Sequence, residues 1–219
     1  MREIQHTTAG NGRKHLPPAG KKWLLGLYDP LSKLFGVNKN RRKLIELARL
    51  QEGHKALDIG CGTGTLILNI KQRYPDIEII GLDPDSHALA LARWKAKKAG
   101  FQISLDKGFS DNLPYPDLNF DRVFSSFMLH HLDMEQNLAT LREALRVLKL
   151  NGVMLLVDFD AQSHDAGKFV RHGRKAQRPS IIEEVIRTAN VPKFERLFEK
   201  PTIFGTIGYY LIHKSPKNQ

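Results

Sequence analysis

The segment Ala56-Leu57-Asp58-Ile59-Gly60-Cys61-Gly62-Thr63-Gly64-Thr65-Leu66 constrains this chain more than any other. A short apolar run (Ala56, Leu57, Ile59) meets three glycines at alternate positions, and a helical pattern begins at Thr65. Alternate glycines let the backbone turn sharply and approach a ligand closely, because no Cβ stands in the way. The first amides of the following helix then face that ligand. Strand, glycine loop and helix in this order form the nucleotide crevice of a doubly wound α/β sheet. A plain tight turn needs one or two glycines, not three with an acid beside them.

The spacing separates two kinds of nucleotide site. A dinucleotide fingerprint reads G-x-G-x-x-G, with an acid about twenty residues on. Here the third glycine comes one residue early and Asp58 lies on the strand itself. The next strand candidate, Ile77 to Leu82, ends in Asp83, nineteen residues after Gly64. A carboxylate at that tip can accept both ribose hydroxyls. With these residues the chain resembles the class I S-adenosylmethionine-dependent methyltransferases, whose first motif reads nearly as DIGCGTG. Phe109 to Leu132 resembles the family's LPF-PD-x-x-FD-x-V run into a fourth strand, and Leu148 to Asp158 its L-K-P-G-G turn into a fifth. Within the family it is most similar to the ubiquinone/menaquinone-biosynthesis type, a group that also takes in sterol and phospholipid methyltransferases. Tyr28-Asp29 ahead of a basic helix is consistent with that group. The resemblance covers residues 23 to 160.

The resemblance implies a Rossmann-like, doubly wound seven-stranded sheet, mostly parallel with an antiparallel C-terminal strand and helices on both faces. It implies an N-terminal tail and helical cap over 1–40 and a methyltransferase domain over 41–219. The implied cofactor is S-adenosyl-L-methionine, leaving as S-adenosyl-L-homocysteine. By the same resemblance Gly60, Gly62 and Gly64 bring backbone close to its methionine and ribose parts. Asp58 orders the loop and reaches the amino group through water, and Asp83 takes the ribose hydroxyls with Pro84 beside the adenine. Ser126 and Phe127 border the sulfonium, and Tyr28 closes the pocket from the cap. Where the family often has an acid for the adenine amino group, this chain has Phe109. Adenine therefore stacks on Phe109, pairs with backbone at Ser110, or uses Asp111. Leu150-Asn151 replaces the Pro and first Gly of the later turn, a change asparagine tolerates because it visits left-handed conformations. Cys61 belongs to the cofactor loop by position, and its small side chain reads as packing beneath it rather than as a reactive thiol.

Composition adds limits. The chain has 219 residues and one cysteine, so it can bury a full core, one domain is the expectation, and no internal disulfide is available. A reducing, cytoplasmic setting follows as an expectation, since the N-terminus is polar and basic and no apolar run approaches a membrane span. The net charge of +11 is uneven. Residues 1–55 carry twelve Lys/Arg against four acids and residues 161–219 eleven against five, while the middle has eleven against fourteen. Such flanks suit an anionic membrane surface, nucleic acid or a phosphorylated substrate, or serve only as solvated faces. The densest clusters, Asn38 to Lys43 and Lys168 to Arg178, lack the interleaved aromatics of single-stranded nucleic-acid binding.

Along the chain, 1–20 reads as a loosely docked tail and Trp23 to Phe35 as a short helical cap broken at Pro30. Arg41 to Leu50 reads as an amphipathic helix. Further helices are predicted over Thr65–Tyr74, Ser86–Ala99, Glu135–Leu148 and Ser180–Asn190. Strands are predicted over 55–60, 77–82, 101–106, 120–126 and 153–159, with an antiparallel closing pair at Phe194–Lys200 and Phe204–Ile212. Ser86 reads as an N-cap and Gly100 as the stop of its helix.

Methyl transfer from a sulfonium is an in-line displacement in which positioning supplies roughly 7–11 kcal/mol. A general base is needed only where the acceptor must lose a proton early. His130 and His131 follow the fourth strand, where an acceptor would enter, and histidine titrates near neutrality. Neighbouring residues point different ways, so at most one faces the methyl group; the competing reading packs one on the sheet and leaves the other in a polar loop. No metal-ligand spacing occurs. The sequence therefore reads as a methyltransferase for a small-molecule or lipid-like acceptor, cytoplasmic with an option of peripheral membrane contact. Two other readings stay open: an RNA or protein methyltransferase docking through basic flanks, and a non-catalytic S-adenosylmethionine-binding protein. Oligomeric state has no signature.

Overall fold

A computed structural model describes residues 37–162, 181–191, 193–202 and 205–214. The predicted tail and cap, Tyr28 and the basic cluster at 168–178 lie outside the described residues. Helix α1 spans Val37–Leu47, followed by β1 (Lys55–Ile59), α2 (Thr65–Arg73), β2 (Glu78–Asp83), α3 (Ser86–Lys98) and β3 (Ser104–Lys107). Then come β4 (Phe120–Ser126), a single 3-10 turn (Leu129–His131), α4 (Met134–Val147), β5 (Leu148–Gln162), α5 (Ile181–Thr188), β6 (Lys193–Thr202) and β7 (Gly205–His213).

The seven strands form one sheet in the order β3-β2-β1-β4-β5-β7-β6. The first five run parallel, whereas β7 pairs antiparallel with both β5 and β6. The predicted doubly wound sheet and its closing pair are present. Strand order reverses at β1, between β2 and β4, and a crevice opens outside the carboxyl ends of strands at such a switch point.

Period-two alternation divides the core. Ala56, Phe124, Leu155 and Val157 pack with Leu44, Ile67, Ile70 and Ala92 of α1, α2 and α3. Leu57, Ile59, Val123, Met154 and Leu156 pack with Leu141 and Ala144 of α4 and Ile182 and Ile186 of α5. Met154, Leu155, Leu156 and Val157 are all fully buried, as a strand covered on both faces requires.

Several boundaries differ from expectation, each for a local reason. Helix α1 starts a turn earlier than Arg41 and stops at Leu47, before Arg49 takes a left-handed conformation (φ 45°). Helix α3 is capped by Asp85 rather than Ser86: the Asp85 carboxylate accepts the His87 N–H at 2.8 Å. Strand β3 begins at Ser104, not 101, because the Phe101 N–H still donates to the Ala96 carbonyl of α3. Helix α4 starts at Met134 behind an Asp133–Gln136 capping box. Strand β5 starts at Leu148 rather than 153, and the left-handed Asn151 (φ 65°) lies within it. Its pairing shifts there, from Phe120–Leu148 to Arg122–Val153.

Candidate active site

The crevice is built first from backbone. Gly60, Gly62 and Gly64 all have positive φ (70°, 52° and 73°). The Gly60 and Cys61 N–H groups both donate to the Leu82 carbonyl, at 2.8 and 3.0 Å, tying the loop to β2. A Cβ on Gly60 would collide with Met128, and one on Gly64 would lie 2.9 Å from the Ala92 Cβ. A Cβ on Gly62 would meet nothing within 4 Å, so the loop presents bare backbone to open space there. The Gly62 N–H donates to Asp83 Oδ2 at 2.8 Å, and Asp83 Oδ1 accepts the Asp85 N–H at 2.8 Å. Asp83 thus stands at the tip of β2 directly beside the loop. Gly64 is the N-cap of helix α2 and offers no side-chain cap, leaving the first-turn amides to other partners.

Cys61 turns beneath the loop, with its Sγ 2.8 Å from where a Gly81 Cβ would stand. Burial pushes its thiol well above the ordinary range, so it packs and does not react. Lys95 of α3 adds a tie that sequence reasoning missed: its Nζ donates to Thr63 Oγ1 at 3.2 Å and Thr65 Oγ1 at 3.0 Å.

Asp58 lies on the face of β1 that looks toward α1–α3 and is 1% exposed. Its Oδ1 has no hydrogen-bond partner. Burial, reinforced by the Asp83 charge and opposed by Arg41, pushes its carboxyl up to about 7. Arg41 is itself buried; its Nε donates to Ser126 Oγ at 3.3 Å, while its Nη1 is buried without a partner. A buried polar atom left unpaired costs about 1–3 kcal/mol, and more when charged. Sequence reasoning counted Arg41 only as part of a basic cluster. The signal that could have found it is spacing, since Arg41, Leu44, Ile45 and Ala48 share the apolar stripe of α1. The Asn38–Lys43 cluster is consequently not one solvated basic face, because Asn40 and Arg41 point inward.

At the opposite rim, Pro84 is half-buried beside Asp83 and Phe109 keeps 38% of its surface exposed. The Ser110 hydroxyl pairs with Thr140 Oγ1 at 2.7 Å, and Asp111 is half-buried next to it. The loop carrying these residues is bolted to α4. Arg146 donates to the Leu113 and Tyr115 carbonyls at 3.0 and 2.8 Å, and Glu143 accepts the Leu113 N–H at 2.8 Å.

Beyond β4, Phe127 adopts a left-handed conformation (φ 57°), donates its N–H to the Val157 carbonyl at 2.8 Å, and packs its ring 5.3 Å from that of Phe159. Its side chain belongs to the core, and Ser126 is held by Arg41. The two histidines differ in their partners. His130 Nδ1 lies 2.6 Å from Asp158 Oδ1, and its side chain is 26% exposed. The His131 ring packs tilted against that of His130, at 3.9 Å between centroids and 46° between planes. Asp158 is fully buried: Oδ2 accepts the Met128 and Leu129 N–H groups at 3.0 and 2.7 Å, and Oδ1 also accepts the Phe159 N–H at 2.7 Å. In a neutral imidazole, a ring nitrogen that faces a carboxylate carries the hydrogen and donates to it, so with Nδ1 on Asp158 the lone pair falls on Nε2. Asp158 was not anticipated as a site residue, although it is the first acid after the apolar run of β5. Among the described residues no cluster of His, Cys, Asp and Glu could hold a metal ion, and no helix is long and apolar enough to cross a membrane.

Comparison with known proteins agrees with this geometry. Residues 56–152 match the methyltransferase domain family. The chain is 35% identical over 136 residues to the demethylmenaquinone methyltransferase of Deinococcus radiodurans, covering 60% of this chain and 55% of that protein. It is 34% identical over 139 residues to the ubiquinone/menaquinone biosynthesis C-methyltransferase of Geobacter sulfurreducens, covering 60% and 53%. The chain thus spans about half the length of the curated relatives it matches. Among solved structures, a putative S-adenosyl-L-methionine-dependent methyltransferase from Methanococcus maripaludis superposes with a TM-score of 0.67 at 17% identity, over 97% of this chain and 99% of that one. The YcgJ protein of Bacillus subtilis gives 0.64 at 17% identity, over 82% and 99%. These two likenesses establish the fold.

Proposed function

We propose that this chain, whose residues 56–152 match the methyltransferase domain family, moves a methyl group from S-adenosyl-L-methionine to a lipid-like hydroxyaromatic acceptor that loses a proton to His130. The cofactor fits on three counts. Open space faces the bare backbone at Gly62, the Asp83 carboxylate stands directly beside it, and buried donor and acceptor atoms of Arg41 and Asp58 lack partners. Gly60, Gly62 and Gly64 would lie along its methionine and ribose parts, Asp83 would accept the ribose hydroxyls, and Pro84, Phe109, Ser110 and Asp111 would line the adenine. When bound, it supplies a methyl group on a positively charged sulfur, already activated for displacement.

The chain's own work is then to position the acceptor and remove its proton. His130 Nε2 takes the proton from an acceptor hydroxyl, or from the ring carbon that it activates, and returns it to water after the methyl group has been received. Asp158 holds the ring in the needed tautomer and stabilises the imidazolium; such a base contributes about 10²–10⁴-fold. The single observation that carries this reading is the 2.6 Å contact between His130 Nδ1 and Asp158 Oδ1 at the carboxyl ends of β4 and β5. The acceptor class is supported by the names of the menaquinone and ubiquinone relatives. The expected division at residue 40 falls inside α1, which begins at Val37.

The test is turnover of a panel of hydroxyaromatic acceptors, naphthoquinols included, with isotopically labelled methyl donor. His130→Ala should lower kcat by about 10²–10⁴-fold, with cofactor affinity unchanged within twofold. Retention of full kcat by His130→Ala on the preferred acceptor would remove the base from the proposal.

A further inference from the structure

We infer that Asn137 is a positioning residue for the base: its side-chain amide fixes the turn that carries His130, and so holds Nε2 in place for proton transfer. The inference rests on the reading of His130 as the base. It adds to that reading a buried residue that acts only through the turn.

His130 sits in the middle of a 3-10 turn three residues long, Leu129–His131. Backbone bonding there is sparse: the His131 N–H donates to the Met128 carbonyl and the Leu132 N–H to the Leu129 carbonyl, both at 3.0 Å. So short a segment, with the poorer hydrogen-bond geometry of its class, does not hold itself rigid. Two buried side chains supply what it lacks, one from each side. From the sheet, Asp158 takes the Met128 and Leu129 N–H groups at the front of the turn, and the His130 ring itself. From α4, Asn137 Nδ2 donates to the Leu129 and Leu132 carbonyls, both at 3.2 Å. Those two carbonyls flank the His130–His131 pair, so one amide ties both of its ends.

The tie serves the turn and not the helix that bears it. Helix α4 has a cap of its own: Asp133 Oδ1 accepts the Gln136 N–H at 2.8 Å, and Gln136 Oε1 accepts the Asp133 N–H at 3.1 Å. The Asn137 side chain instead reaches back, and only its NH₂ end can face two carbonyls, which accept and never donate. Its Oδ1 is buried and finds no partner among the described residues, an arrangement that costs stability. Asparagine is also a weaker helix former than leucine, whose branched outline is similar. A leucine here would suit the helix better and would lose the tie.

A double-mutant cycle with labelled methyl donor and a naphthoquinol acceptor tests the role. In the wild-type background Asn137→Leu should lower kcat by about 10–100-fold, with cofactor affinity unchanged within about twofold. In the His130→Ala background the same substitution should change kcat by less than about twofold, because no base is left to place. Equal losses in both backgrounds, or full kcat in Asn137→Leu, would overturn the positioning role and leave the base standing. Full kcat in His130→Ala would instead remove the base, and the inference with it. A second readout needs no acceptor. In ¹³C-histidine-labelled protein the His130 ring signals, assigned by their loss in His130→Ala, should form one set in the wild type and shift or broaden in Asn137→Leu. Unchanged His130 signals in that variant would overturn the inference whatever the assay gives. Should Asn137→Leu not fold, Asn137→Ala removes the same donors with less bulk and enters the same cycle. Failure of both to fold would show that the amide serves the fold and not the base, which overturns the inference too.

Discussion

Asp58 and Asp158 are both buried carboxylates near the carboxyl ends of parallel strands, and their surroundings are opposite. Asp158 is saturated by its own chain, accepting three backbone N–H groups and the His130 ring. Asp58 keeps an oxygen without a partner and is held up to about 7 by its burial. The saturated carboxylate fixes geometry and needs nothing further. The unsaturated one has a site to complete. Burial alone does not distinguish structural from ligand-binding acids here; the count of satisfied lone pairs does.

The largest effect separating the two should come from truncation. Asp158→Ala strands the Met128, Leu129 and Phe159 N–H groups, each worth about 1–3 kcal/mol when buried and unpaired, so the fold should lose about 3–5 kcal/mol in denaturant unfolding. A loss under 1 kcal/mol would show that water replaces the carboxylate and would end the contrast. At Asp58 the expected signature is pH dependence instead. Its carboxyl, raised about three units above the unfolded value near 3.8, gives a native state that binds more protons between pH 4 and 7. Ligand-free stability should therefore fall by about 4 kcal/mol as pH rises through that window, at about 1.36 kcal/mol per unit, and flatten above it. Arg41 opposes this trend, while Asp83 strengthens it; the neighbouring Cys61 thiol stays neutral throughout. Asp58→Asn should remove the slope, whereas a slope surviving in the variant would assign it to another group.

A smaller effect sharpens the comparison within the glycine loop. Both Gly62→Ala and Gly64→Ala incur the left-handed strain of about 1–2 kcal/mol, but only the second drives a methyl against Ala92. Gly64→Ala should be the less stable protein, and Gly62→Ala should weaken S-adenosyl-L-homocysteine binding despite the milder cost. Equal stability and equal affinity in the two variants would mean that nothing occupies the space in front of Gly62.

What the linear pattern revealed follows the same division. The glycine loop, Asp83 and the alternation of strands and helices were legible because backbone conformation and local spacing define them. His130 was legible as a candidate from its place after β4, yet its partner lies 28 positions away and a strand's final acid carries no mark of its role. Arg41 and Ser126 meet across 85 positions, and Lys95 reaches Thr63 across 32, so neither pairing has a short-range signature. Phe127 looked like a pocket wall because it follows β4; its left-handed backbone turns the ring into the core instead. Cys61 behaves as its size and position suggested. The early start of β5 escaped notice because the turn at Asn151-Gly152 reads as a break, whereas pairing continues across it with a shifted register.

The most direct test is the carboxyl titration of aspartates in selectively ¹³C-labelled protein, followed by NMR with and without saturating S-adenosyl-L-homocysteine. Without ligand Asp58 should titrate near 7, and with it the midpoint should fall by at least one unit. An Asp58 midpoint that stays put under saturating ligand would contradict the claim that this half-satisfied carboxylate is completed by the cofactor.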